Sequence, residues 1–327
     1  MPTRLRIATF NLENLDDQPN QHPTLAERIA LMGPQLARLD ADILCLQEVN
    51  AHKTNGQFQL TALDKFLTGT PYATYHQAAA FTPNGNRSLV ILSRFPVTNQ
   101  QQVLHTLAPA PSYQRVTADP PDTAARKITW ERPTLRAAIS LDAARVVQVV
   151  NVHLKSKLAT DIPGQKVNPA DQFSPWKTAS GWAEGSFLSS MKRVGQALET
   201  RMLLDQLFDT DPQALIVVCG DFNSDATEVP LAAIKGEVED NDNPALAVRT
   251  MVACEQTVPE QARYSLIHHG RGQMLDHVLV SRSLLAFYSH TEIHNEVLHD
   301  ESSAFATDVK FPESDHAPVV AEFTLPD

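Results

Sequence analysis

The chain is 327 residues long, 43% hydrophobic, and carries a formal charge of −11. It can therefore bury a large core, and its surface as a whole repels polyanions. Net charge thus disfavours tight non-specific binding of duplex nucleic acid, and any nucleic-acid contact must come from a local basic patch or from metal ions. No apolar run reaches the length of a membrane span. The three cysteines (Cys45, Cys219, Cys254) read as reduced core thiols rather than a disulfide framework.

The chain begins MPTRLRIATF, with no apolar leader before the first strand-like run. This fits a cytoplasmic protein, or a secreted one from which a signal peptide has been removed. "LRIATFNL" (5–12) is the first predicted strand. "TLAERIALMGPQLARLD" (24–40) has helical apolar spacing, with Gly33-Pro34 expected to start its main helix anew. Further strands are predicted at "DILCLQEV" (42–49), "SLVILSRFPV" (88–97), "LRAAISL" (135–141), "RVVQVVNVHL" (145–154), "ALIVVCGDFN" (214–223), "MLDHVLVS" (274–281) and "HAPVVAEFTL" (316–325). "MKRVGQALETRMLLDQLF" (191–208) is the clearest amphipathic helix. Two stretches, 105–131 and 155–190, read as loops. Mixed strands and helices without repeats or linkers indicate one α/β domain of packed layers over 1–327, and no feature calls for an obligate protein partner.

Residues two apart on a strand share a face, which makes Asp221 and Asn223 of "GDFN" neighbours, and likewise Asn151 and His153 of "NVH". Asn11 and Glu48 follow other β-runs, and Asp276, Asp315 and His316 stand in "LDHV" and "SDHAPV". Taken singly, each has an ordinary structural reading as a turn former, a solvated strand end or a satisfied core histidine. Together, strand-end carboxylates with Asn and His suit a site that binds a hard cation through oxygen, activates water and neutralises a phosphate.

The segments "TFNLEN", "LQEV", "LVILSRFPV", "NVHLKSK", "GDFNSD", "LDHVLVS" and "SDHAPV" resemble, in this order, the endonuclease/exonuclease/phosphatase superfamily with its deoxyribonuclease-I-like fold. The resemblance runs from Thr9 to about Phe323, and it is nearest to bacterial nuclease-like members. It implies a four-layer α-β-β-α sandwich of two packed mixed sheets, with the active site at one end. It also implies that Glu48 is the main ligand for Mg²⁺ or Mn²⁺, with Ca²⁺ a further candidate, helped by Asn11 and Asp315. Asp221 would orient and deprotonate the attacking water, and Asn223 would hold the water or a phosphate oxygen. His316, oriented by Asp276, would donate to the phosphoryl oxygens, with His153 a second donor or the acid for the leaving oxygen. Asp315 and His316 are adjacent and would face opposite ways in a strand, so both reach one site only if "SDH" is loop-like.

Substrate contacts are expected from Asn151, Arg132, Lys155 and Trp176. For Arg132 in "WERPTLRA", contacting phosphate and bracing a loop are equal readings, and Arg87 and Arg94 read as solvated or salt-bridged. From His153 to Arg193 the basic residues Lys155, Lys157, Lys166, Lys177, Lys192 and Arg193 outnumber Asp161, Asp171 and Glu184, among Phe173, Trp176, Trp182 and Phe187. Lysines alternating with aromatics suit a gripped strand or base, and equally an ordered flap packed on the sandwich. The expected activity is metal-dependent phosphodiester hydrolysis, first as a nuclease on DNA or RNA. The alternative is a phosphatase or phosphodiesterase acting on a small nucleotide, inositol-phosphate or lipid phosphoester. A non-catalytic binding module ranks last, because every catalytic position holds the expected residue type.

Overall fold

The computed structural model of the chain describes residues 3–171, 173–303 and 310–326. Two six-stranded mixed sheets lie face to face. Their strands are numbered β1 (Thr3–Leu15), β2 (Ile43–Val49), β3 (His76–Ala80), β4 (Ser88–Ser93), β5 (Val97–Val103), β6 (Thr134–Ser140), β7 (Val146–His153), β8 (Leu215–Asp221), β9 (Met251–Ala253), β10 (Asp276–Ser281), β11 (Tyr288–Ile293) and β12 (Val319–Leu325). One sheet has the order β11-β12-β1-β2-β4-β3, and the other β9-β10-β8-β7-β6-β5. Each has one parallel pair at its centre, β1 with β2 and β7 with β8, and antiparallel pairs outward.

Alternation along the central strands builds the layers. Leu5, Ile7, Ile43, Cys45, Val147, Val149, Val217 and Cys219 meet between the sheets. Their strand neighbours Ala8, Leu44 and Leu46 face helices α1 (Leu25–Leu39) and α2 (Thr61–Leu67). Val150, Val152, Ile216 and Val218 face α3 (Ala179–Thr210) and α4 (Val229–Lys235). The result is the expected α-β-β-α sandwich, in which each fully buried Val or Leu contributes about 1.5–3 kcal/mol. All three cysteines are free and buried, and no helix among the described residues is long and apolar enough to cross a membrane.

Several boundaries differ from the sequence reading. Helix α1 runs through Gly33-Pro34 rather than restarting there. Pro34 and Ala30 both lie on the exposed face, so the carbonyl deprived of its partner meets water, while a Thr24–Glu27 capping box starts the helix. The run 88–97 is broken at Arg94–Pro96, and Val97 begins a strand of the opposite sheet. Helix α3 starts at Ala179, with the Thr178 hydroxyl accepting from the Gly181 N–H at 2.9 Å, so the latter part of the 155–190 stretch is helical. Strand β12 begins only at Val319, which leaves Asp315 and His316 in the loop that the shared site requires.

Candidate active site

The inward face of the central strands changes character along their length. Beyond the apolar tier, Thr9, Gln47 and Asn151 form a buried polar tier. Gln47 Nε2 donates to Asn151 Oδ1 at 2.7 Å, and Asn151 Nδ2 donates to the Leu46 and Val90 carbonyls, both at 3.0 Å. Asn151 is therefore no substrate contact. It is fully buried, and its amide is consumed in clasping one sheet to the other. One step further along the same faces stand Asn11, His153 and Asp221.

Glu48 reaches this end by a different route. Strand parity would aim it at the helices with Leu44 and Leu46, but its φ is +57° and the pairing shifts register between Leu46 and Val49. Such a bulge re-aims a side chain. Glu13, Asn14, Arg87 and Asn223 are left-handed as well. Conformations of this kind cost about 1–3 kcal/mol each and gather at functional sites. Here side chains of the same cluster hold them. The Asn14 N–H donates to Glu48 Oε2 (3.0 Å), the Arg87 N–H to Asn50 Oδ1 (2.8 Å), and the Asn223 N–H to Asp221 Oδ1 (2.8 Å). Gly220 of "GDFN" is required for a related reason. Its φ is +140°, and a Cβ there would stand 1.9 Å from the Val152 carbonyl oxygen.

Two carboxylates, Asp221 and Asp276, sit directly opposite each other across β8 and β10, a pairing that by itself repels. Their environments separate them. Burial would raise Asp221, but it is outweighed by neighbouring His153, by the charge of His316 and by the Asn223 N–H, so Asp221 lies well below the usual carboxylate range. It also accepts from Asn223 Nδ2 (2.9 Å) and Asn11 Nδ2 (3.1 Å). Asp276 is pushed up by burial and by Asp221, although His316 pulls the other way. His316 Nδ1 lies 2.7 Å from Asp276 Oδ2. Burial disfavours the charged imidazole, yet Asp276 and Asp221 raise it well above its ordinary value, which favours the imidazolium.

His153 differs from its sequence reading. Its Nε2 lies 2.5 Å from Arg132 Nη1 and 3.3 Å from Asp221 Oδ2. A guanidinium can only donate, so this nitrogen accepts, and burial with Arg132 pushes the histidine below its ordinary pKa. While Nε2 accepts from Arg132 it has no proton to give to phosphate. His153 positions the arginine, whose Nη1 also donates to the Leu154 carbonyl at 2.8 Å.

On the other side of the site, Glu13, Glu48 and Asp315 crowd together. Burial pushes Asp315 up to about 6 with the charge of Glu48 adding, and burial with Asp315 pushes Glu13 up to about 8. Asp315 Oδ1 is buried with no hydrogen-bond partner, and Glu13 Oε2 accepts from the Asp315 N–H at 3.1 Å. Burial would raise Glu48, but it is outweighed by His153, whose Nε2 is 3.7 Å from Oε1, and by Arg132, Arg87 and His316, so its pKa is lowered. Hard oxygen donors crowded together, one of them without a hydrogen-bond partner, are a donor set that a divalent cation satisfies. Asp221, Asp276 and His316 also bring ligand atoms within 4.8 Å of one another, a second group with the residue types of a metal site, in which Asp276 and His316 are hydrogen-bonded to each other.

Of the remaining expected residues, Lys155 turns its ammonium onto its own loop, donating to Ser156 and to the Leu158 carbonyl (3.0 Å). Trp176 packs into a small cluster with Ile128, Ile162 and Leu188, with the Lys166 ammonium 4.3 Å from its ring centroid, so its contacts anchor the 155–190 segment. Arg94 pairs with Asp42 at 3.0 Å, as a salt-bridged surface residue should. Arg87 is salt-bridged as well, with its Nε 3.5 Å from Glu48 Oε1 at the mouth of the site. Glu13 was not singled out in the sequence. Its position two residues after Asn11 in "TFNLEN" was the available signal, repeating the spacing of Asp221 and Asn223.

A family model described as the Endonuclease/Exonuclease/phosphatase family matches residues 8–316. No curated protein sequence matches significantly. Solved structures are similar in fold. Truncated Caenorhabditis elegans TDP2 superposes with a TM-score of 0.58 at 15% identity, covering 98% of each chain. A substituted form of the 3′ phosphatase NExo from Neisseria, bound to a product DNA hairpin, gives 0.55 at 19% identity, covering 98% of this chain and 99% of that one. An AP endonuclease from Archaeoglobus fulgidus gives 0.54 at 18% identity with the same coverage.

Proposed function

This chain belongs to the endonuclease/exonuclease/phosphatase family of hydrolytic phosphoesterases, and on that footing we propose that it is a divalent-metal-dependent nuclease cleaving phosphodiesters of DNA or RNA. The observation that carries this reading is the separation of two facing carboxylates. Asp221 is held ionised, while Asp276 keeps His316 charged at 2.7 Å. Pairs of titratable groups whose environments push them apart mark acid and base roles.

Asp221 orients the attacking water and takes its proton as the bond to phosphorus forms. Asn223 and Asn11 hold the Asp221 carboxylate in place through their amide hydrogens. His316 donates to the non-bridging oxygens, where negative charge builds, and Arg132 adds a fixed positive charge from the other side. One phosphorus–oxygen bond breaks, the leaving oxygen takes a proton from solvent water, and the products are a phosphomonoester and a free hydroxyl. Glu48 and Asp315, with Asn11 and Glu13 beside them, would hold Mg²⁺ or Mn²⁺, which would supply Lewis-acid stabilisation and a more acidic water. A polynucleotide substrate is supported by the 3′ phosphatase from Neisseria, a protein of similar fold holding product DNA.

The test is turnover by purified protein with Mg²⁺, Mn²⁺ or Ca²⁺ on bis-p-nitrophenyl phosphate, the monoester, DNA and RNA. Cleavage of DNA or RNA together with the diester is expected. Activity on the monoester alone would transfer the assignment to a small-molecule phosphatase.

A further inference from the structure

The stretch from Ser112 to Thr129 folds over the N-terminal half of α3 and leaves a cleft of about 170 Å³. Two carboxylates of α3 hold this arm and the segments that flank it. Glu184 accepts from the Val116 and Thr117 amides (2.6 and 2.9 Å) and from the Tyr113 hydroxyl (3.0 Å). Glu199 accepts from the successive amides of His105, Thr106, Leu107 and Ala108, and from Trp130 Nε1. The arm is thereby a fixed wall.

The cleft has an apolar floor, Ile128 and Leu188, and a basic rim. Arg126 projects with 69% of its side chain exposed, 3.8 Å from Asp122. That carboxylate is already held by both Nε and Nη2 of Arg115, at 2.7 and 2.8 Å. Lys127 is exposed beside it. Asp161 is the acid in the lining, and it faces Lys166 at 3.7 Å. Half-exposed Phe187 sets its ring 5.2 Å from that of Tyr113, which lines the cleft. Lys192 joins the cleft to the catalytic end. It pairs at 3.1 Å with Glu131, the neighbour of Arg132. With Arg132 and Arg193, and with burial as the leading cause, it pushes the Lys155 ammonium down to about 8.

We infer that this cleft is a second subsite, taking one nucleotide of a single strand that flanks the scissile phosphodiester, with Arg126 and Lys127 on its phosphate and Phe187 against its base. The inference rests on the nuclease reading and names its substrate class. Aromatic faces stack on unpaired bases, and a charged groove tracks a single backbone, whereas the net charge of −11 opposes broad duplex contact.

The test is fluorescence anisotropy of labelled oligothymidylate and oligouridylate with the full chain in EDTA, run alongside bis-p-nitrophenyl phosphate turnover with metal. Arg126→Gln with Lys127→Gln should weaken oligonucleotide binding at least tenfold and reduce the log–log salt slope by about 0.7, one phosphate on a single strand. Phe187→Ala should weaken it about five- to 150-fold, the range for one stacked base. Turnover of the small diester should stay at the wild-type rate in all variants, which also reports intact folding. Stronger loss with one oligonucleotide than the other identifies DNA or RNA as the strand. If the variants bind both oligonucleotides like wild type, the subsite is refuted, and equal loss of inorganic polyphosphate binding with no effect of Phe187→Ala would also refute it. Absence of diester turnover in wild type would instead count against the nuclease reading, with the binding comparison still deciding the subsite.

Discussion

Asn11 Nδ2 donates to Asp221 Oδ2 at 3.1 Å, joining the end of β1 in one sheet to the end of β8 in the other. The residues are 210 positions apart, and this bond sets the metal side of the site in register with the water side. The reacting geometry is therefore a property of how the sheets pack, and the polar tier of Thr9, Gln47 and Asn151 beneath it keeps that packing in place.

Asp221→Asn removes the ionised carboxylate and sets an amide against the donors of Asn11 and Asn223. Turnover of a small diester should fall by about 10²–10⁴, the usual scale for losing a positioned base, with KM little changed. The melting temperature should move by only a few degrees, because relief from Asp276 offsets the lost hydrogen bonds. A collapse of stability large enough to account for the inactivity would make Asp221 a structural residue.

His316 has a folded-state pKa above its ordinary value because Asp276 and Asp221 outweigh its burial. Activity that needs the imidazolium is present at lower pH and is lost as pH rises through that elevated value. Asp276→Asn removes the nearest negative charge, so the alkaline limb of the kcat profile should move to lower pH, toward the ordinary histidine value of about 6.5. An unmoved limb would mean that another group titrates there.

Glu48 and Asp315 are expected to bind the cation in the absence of substrate. In the wild type, Mg²⁺ or Mn²⁺ should raise the melting temperature in a concentration-dependent way, and Glu48→Gln and Asp315→Asn should each flatten that response. Glu13 carries a folded pKa of about 8 against an ordinary 4.5, so its ionisation costs stability increasingly as pH rises from the lower value to the upper. Glu13→Gln should therefore stabilise the metal-free protein at pH 8 and do little at pH 4. Thermal scans in EDTA at the two pH values check this, and an equal effect at both would exclude the crowding argument.

His277 is fully buried between Glu255 (Nδ1 to Oε1, 2.6 Å) and the Ser224 carbonyl (Nε2 to O, 2.8 Å), and both contacts are met at once only by the protonated ring. Its burial is outweighed by Glu255, so its pKa is raised. The stability it contributes is complete below about 6.5 and is lost as pH rises through the elevated value. Glu255→Gln leaves a buried charge unpaired and should cost about 3–5 kcal/mol, more at pH 6 than at pH 9 by chemical denaturation. Because Ser224 follows Asn223, the same variant should also reduce turnover at neutral pH.

Much of this architecture was legible in the chain itself. Alternating apolar runs ending in Asn, Asp or Glu placed Asn11, Glu48 and Asp221 at strand ends, because burial on one face forces period-2 patterning up to the point where a strand leaves the core. The need for a loop at "SDH" was legible as well, while the pairing of Asp276 with His316 came from the family resemblance. Tertiary packing decided the rest. Asn151 and His153 share a strand face, but depth along that face made one a clasp between sheets and the other the seat of Arg132. Glu48, Glu13 and Arg87 reach the site through left-handed residues and bulges, whose cost is met by hydrogen bonds from segments remote in sequence, so strand parity alone misaims them. The 105–131 segment, loop-like by composition, becomes a wall because Glu184 and Glu199, far along the chain, supply acceptors that its backbone amides cannot find locally.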